Sequence, residues 1–252
     1  MSFLLALFSA APILANEVQP VPAQDKPAAV APAVVEPKWT GSVTLGATYA
    51  DGNTDRRTAS AVVGAEYRRE KDRTTVGVLW NYAQEKAGVT DRKTQGRIKY
   101  DYFFTKKMYG LVQASGENDY AASLDLRTTI GAGLGYQFED TPTWKLAGEL
   151  GLAYVNENFD GSANDNEFLA ARAAYNWAYT PNDKYNVSQV AEIFPSLENG
   201  EDVNARVDTK GRMNLTAKMF ASLEWVYQWD NTPPAGNSRN DSLVMLGLGW
   251  SF

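Results

Sequence analysis

From Trp39 onward the sequence alternates apolar and polar side chains in twelve separate runs, each closed off by turn-forming residues. Successive side chains of a strand point to opposite faces, so this period of two demands an all-β fold in which each strand has one apolar face. The runs are 39–50, 58–69, 74–84, 94–104, 108–117, 128–138, 144–155, 167–179, 185–194, 204–215, 219–230 and 241–252. The fifth is ambiguous in parity and the ninth is weaker. In the last, Val244, Leu246, Leu248, Trp250 and Phe252 share a face, with Gly247, Gly249 and Ser251 mostly on the other. A soluble domain seldom ends on such a strand. A membrane barrel does, because its last strand must pair with its first to close the wall.

The connections between runs fall into two alternating classes. Short ones cover 70–73, 105–107, 139–143, 180–184 and 216–218; longer polar ones cover 51–57, 85–93, 118–127, 156–166, 195–203 and 231–240. Short turns at one end and long loops at the other are the pattern of an outer-membrane barrel, with the short end periplasmic. An even number of strands puts both termini at that end. Threading the chain up and down places Trp39, Tyr67, Tyr102, Phe104, Tyr136, Phe138, Trp144, Trp177, Tyr179, Tyr185, Trp250 and Phe252 near the short-turn rim. Tyr49, Trp80, Tyr82, Tyr154, Tyr227 and Trp229 fall near the other. Two aromatic girdles with aliphatics between them suit a bilayer, because amphipathic rings favour the headgroup level. The expected fold is a transmembrane antiparallel up-and-down β-barrel of about twelve strands over residues 39–252.

Ahead of the barrel, Phe3 to Ala15 form an apolar run that reads as the core of a signal peptide over residues 1–15, although no Lys or Arg precedes it. Residues 16–38 contain five prolines among Ala and Val and read as an extended, poorly packed periplasmic tether. Composition narrows the chemistry. The chain has no cysteine and no histidine. That removes Ser-His-Asp and Cys-His catalysis and histidine-ligated zinc, and no enzyme activity and no cofactor are expected. The net charge of −6, with scattered basic residues, argues against nucleic acid as a partner.

Several segments resemble a family of salt-induced outer-membrane proteins. They are Trp39-Thr40-Gly41-Ser42-Val43, Gly52-Asn53-Thr54-Asp55, Tyr100-Asp101-Tyr102-Phe103 with Tyr109, Gly131-Ala132-Gly133-Leu134-Gly135-Tyr136, and the closing stretch from Gly247 to Phe252. The resemblance implies a Gram-negative outer-membrane barrel linked to salt or osmotic stress, and it carries no catalytic residues with it. The closing aromatics also resemble the signal by which such barrels reach their assembly machinery, with Phe252 as its end. Outer-membrane lipid and lipopolysaccharide are then the surrounding partners.

The polar faces carry the candidate functional groups: Glu66, Arg97, Lys99, Asp101, Glu149, Arg172, Arg206, Asp208, Lys210, Arg212 and Glu224. In a barrel these line the lumen. They would form either a charged, water-filled pore that selects solutes or a lumen filled by mutually paired side chains. The expected function is passive passage of small hydrophilic solutes or ions; the alternative is a non-conducting structural or stress-response protein. One loop has partial calcium-loop spacing at Asn156, Asn158, Asp160, Gly161 and Glu167, but Asn stands where the first position calls for Asp. An acidic surface loop is the ordinary explanation.

Overall fold

The computed structural model describes residues 38–50, 56–160, 165–233 and 236–252. The expected signal peptide, the tether up to residue 37 and the loop segment Gly52-Asn53-Thr54-Asp55 lie outside the described residues. So does Gly161 of the calcium-like loop.

Twelve strands follow one another: β1 (Trp39–Ala50), β2 (Arg56–Arg68), β3 (Asp72–Glu85), β4 (Gly88–Phe103), β5 (Met108–Asp119), β6 (Leu124–Asp140), β7 (Trp144–Phe159), β8 (Asn166–Asn182), β9 (Tyr185–Pro195), β10 (Val203–Asn214), β11 (Met219–Asp230) and β12 (Asn240–Ser251). Each pairs antiparallel with its chain neighbours, and β1 pairs with β12, so the sheet closes into a barrel. Closure leaves no sheet edge along the paired length of the wall.

Four of the five tight turns at one end share a device. A side-chain oxygen at the turn's start accepts the backbone N–H three residues on: Thr105 from Met108 at 2.9 Å, Thr141 from Trp144 at 3.0 Å, Asn182 from Tyr185 at 3.1 Å and Thr216 from Met219 at 2.9 Å. Thr and Asn favour such turns because the side chain mimics a backbone acceptor.

At the opposite end the structure corrects three loops. Residues 85–93 shrink to a turn at 86–87, where Gly88 takes φ 138°, a backbone conformation that favours glycine. Residues 118–127 shrink to 120–123 and residues 156–166 to 160–165. The strands thus run on past the aliphatic band, and a strand with water on both sides has no apolar face to betray it.

The outward face is a hydrocarbon-facing surface. Leu45, Val78, Ile98, Val112, Ile130, Leu134, Leu150, Leu223 and Leu246 are all exposed. Aromatic clusters bound this band. Trp39–Tyr67 (5.3 Å between centroids), Tyr136–Phe138 (5.1 Å) and Trp144–Tyr179 (4.5 Å) lie at the tight-turn rim; Trp80–Tyr82 (6.3 Å) lies at the other. Such a band is stable only against lipid. Leu150, 69% exposed, is six residues up β7 from Trp144 and four below Tyr154, near the middle of the band. Leu150→Arg is expected to cost about 2–4 kcal/mol of folding free energy, the penalty for arginine on a barrel's lipid face near the bilayer midplane. A denaturant titration of folding into vesicles checks it; an unchanged midpoint would mean that this face does not meet hydrocarbon.

Candidate functional site: the charged lumen

The inward faces carry the charge. On β4 the inward residues are Lys93, Gln95, Arg97, Lys99, Asp101 and Phe103; on β5 they are Tyr109, Leu111, Gln113, Ser115, Glu117 and Asp119. This settles β5, whose parity is obscured because its lumen face begins with Tyr109 and Leu111 while its lipid face carries Val112 and Ala114. Phe103, Tyr109 and Leu111 form a buried cluster inside the barrel. The Tyr109 ring lies against Gly135 on β6, where a Cβ would overlap it, and the Phe220 ring lies against Gly249 on β12 in the same way. These glycines make room for rings in the lumen.

Low in the lumen, Glu149 collects donors from several strands. It accepts hydrogen bonds from Lys99, from Tyr109 Oη at 2.7 Å and from Arg172 Nη2 at 2.9 Å. Arg172 also meets Glu192 at 2.6 Å. Asp101 pairs with Arg73 at 2.7 Å and with Lys99 at 3.3 Å. On β10, Lys210 meets Glu224 at 3.3 Å, and Arg206 meets Asp208 at 3.0 Å. Arg212 stacks over the Phe220 ring at 3.8 Å and donates to Ser251 Oγ at 2.6 Å. Glu66 is half-buried on β2 and faces the same cavity. Strands β4 and β10 are six places apart in either direction round the wall, yet Arg97 reaches Asp208 at 3.0 Å straight across the lumen.

A second, higher layer was not legible as a site in the sequence. Lys93 is 2% exposed and is held by Asp119 at 2.5 Å, Glu117 at 3.2 Å, Asp241 at 3.2 Å and the Gln228 amide oxygen. Gln228 in turn donates to Glu117 at 2.8 Å. Arg127 joins Glu157 at 2.6 Å and Asp230 at 3.0 Å. These groups come from β4, β5, β6, β7, β11 and β12, so the layer ties opposite walls together. The sequence signal was the parity of Lys93 with Arg97 and of Asp119 with Glu117. The loop assignments of 85–93, 118–127 and 156–166 hide Lys93, Asp119, Arg127 and Glu157.

The layer divides the lumen. Below it is a cavity of about 410 Å³; above it, near the loop rim, one of about 140 Å³. Glu117, Arg127, Gln228 and Asp230 line both, so they form the partition between them. The lower cavity contains acid and base in near balance, lined by Arg73, Arg97, Lys99, Arg172 and Arg206 against Glu66, Glu149 and Glu192 among others. Such a lining presents opposed charges across the cavity.

Part of the calcium-like loop lies within the described residues. Asn156 and Asn158 lie in β7, and Glu167 lies in β8 opposite Asn156. The Glu167 carboxylate accepts from Tyr154 Oη at 2.5 Å, and Asn158 donates to Asn156 at 3.1 Å. Asp160 lies just past the end of β7. Among the described residues, no group of three or more Asp or Glu is placed to hold a metal ion.

Comparison with known proteins agrees with this architecture. The NanC porin, in a rhombohedral crystal form, superposes with a TM-score of 0.51 at 10% identity, over 84% of this chain and 98% of its own. At that identity the fold is what the two share. The translocator domain of the autotransporter NalP from Neisseria meningitidis gives 0.45 at 14% identity, over 85% and 88% of the two chains. The KdgM porin gives 0.44 at 12%, over 84% and 99%. No curated protein matches the sequence. A family model described as "Protein of unknown function, DUF481" matches residues 43–252.

Proposed function

The chain belongs to the DUF481 family, and from that premise we propose that it is a passive outer-membrane channel for small hydrophilic solutes or ions, closed in this conformation by the Lys93 layer. The observation that carries the proposal is the charged cavity of about 410 Å³ inside the barrel, capped among the described residues by a layer of side-chain ion pairs. A barrel of about eight strands is just filled by side chains, so one of twelve has room for a path once the cap yields. Passage would be diffusion through opposed charges, with no cofactor, no chemical step and no energy input.

The setting completes the proposal. Residues 1–15 direct export, residues 16–38 tether the barrel on the periplasmic side, and the strand ending at Phe252 engages the assembly machinery. Both termini are periplasmic, and the loop rim faces lipopolysaccharide. The tie to salt or osmotic stress rests on the resembling segments. A second reading, a non-conducting structural protein, is favoured by the completeness of the cross-lumen pairing at Lys93, Glu117 and Arg127.

The test is the reversal potential of the purified protein in a planar bilayer under a salt gradient. Lys210 and Arg212 line the lower lumen from β10. The double variant Lys210→Glu, Arg212→Glu should shift the reversal potential toward cation preference, because the field of the lining groups selects the permeating ion. Channels with an unshifted potential would show that β10 does not border the path.

A further inference from the structure

The barrel's closing seam is short. β1 pairs with β2 along its whole length, from Trp39 opposite Tyr67 to Ala50 opposite Arg56. β12 pairs with β11 up to Asn240, opposite Trp229. Between β1 and β12 the ladder runs only from Ser42 opposite Ser251 to Leu45 opposite Leu248, below which Gly41 and Phe252 exchange two backbone hydrogen bonds of 3.0 Å. The same register would set residues 46–50 against 243–247; Gly46 still abuts the Leu246 carbonyl, but the described ladder stops at Leu45 opposite Leu248. Unpaired backbone is not tolerated against hydrocarbon unless it lines a water-filled cavity or is covered by protein.

Exposure follows the gap. Thr44 and Thr48 lie on the same inward face of β1; Thr44, beside the paired rungs, is buried, whereas Thr48 is exposed. Asp119 and Asp241 both hold Lys93, yet the Asp119 side chain is 3% exposed and that of Asp241, on β12, is 52% exposed. The lumen wall flanking the seam also differs from the rest. Leu79 on β3, Val226 on β11 and Met245 on β12 pack together inside the barrel, with Val62 and Leu243 against them. An aqueous path alone has no use for such a wall.

We propose that the upper β1–β12 seam is a lateral portal, through which the hydrocarbon tail of an amphiphile passes from the bilayer into the lumen. In this conformation Leu79, Val226 and Met245 are buried against one another and close the lumen side of the seam; the tail enters by parting them from Val62 and Leu243, and its polar end meets the exposed Asp241. This adds a second class of solute to the channel and does not depend on the aqueous path conducting. A partner's β-strand could satisfy the free edges, but it would lie in the wall and leave the apolar cluster behind the seam unexplained.

The natural absence of cysteine makes the test clean. Met245→Cys and Leu79→Cys, each labelled with a polarity-sensitive fluorophore, are placed in phosphatidylcholine vesicles bearing nitroxide groups on the acyl chains. Both inward-facing labels should be quenched, as should one at the lipid-facing Leu246→Cys, while one at Leu111→Cys, inward on β5 and away from the seam, stays bright. If Met245 and Leu79 stay as bright as Leu111, the seam is sealed to hydrocarbon or covered by a protein strand, and the portal is wrong. Current is not read in this experiment, so its failure leaves the channel reading standing.

Discussion

Replacing Lys93 with methionine is expected to weaken the fold and loosen the cap of the lumen at once. Its ammonium is the shared cation for Asp119, Glu117 and Asp241, which come from two different strands, and it also binds Gln228 on a third. Glu117 keeps Gln95 at 3.0 Å and Gln228 at 2.8 Å as donors, but its short-range cation is gone; Arg206 stands 4.0 Å away. Removing one partner of a buried ion pair typically costs about 3–5 kcal/mol, because the charge left behind has already lost its water. Here Glu117 and Asp119 can recover water only if the layer opens, whereas Asp241 is already half exposed. The expected result is therefore a lower unfolding midpoint in lipid together with longer open times and a stronger preference for cations. A variant with wild-type midpoint and wild-type current would mean that Lys93 neither holds the layer nor caps the path.

Glu149 is the second position where a large effect is expected, and the effect has a different signature. It lies below the partition and is shared by Lys99, Arg172 and Tyr109. Glu149→Leu strands a lysine and an arginine in the lumen wall, and a loss of about 3–5 kcal/mol is expected on the same grounds. Lys99 retains Asp101, and Arg172 retains Glu192, which draws the cost toward the lower end. Glu149→Gln keeps an acceptor for Tyr109 while removing the charge, so it should cost less. Neither variant touches the Lys93 layer. Open times should stay as in the wild type while selectivity moves toward anions. A change in open time with selectivity unchanged would place the barrier at Glu149 and not above it.

How much of this was legible in the sequence depends on where each residue sits relative to the bilayer. Within it, one face must be apolar and the other need not be, so alternation is strong. β11 is found at Met219–Asp230, the bounds its alternation indicates, and Val244, Leu246, Leu248, Trp250 and Phe252 are all exposed on the outer face of the last strand and its end. Above the bilayer both faces meet water, and the period fades. Gly88 to Lys93 and Asn156 to Phe159 are as polar as loops and yet are strand. Those extensions carry Lys93 and Glu157, and their part of the layer was hidden with them. Parity assigns a residue to the lumen but not to a partner: nothing in the local pattern says that Arg97 faces Asp208 across the barrel. The apolar lumen residues Leu79, Val226 and Met245 break the rule that polar faces point inward, and they were missed for that reason.

The central claim is that the lumen is a closed channel and not a filled core. The measurement that tests it most directly is single-channel recording of the refolded, purified chain beside its Lys93→Met variant in planar bilayers. Brief, rare openings are expected for the wild type and sustained openings for the variant. A variant that folds into the bilayer and passes no current at any salt concentration would contradict that claim and leave the non-conducting reading in its place.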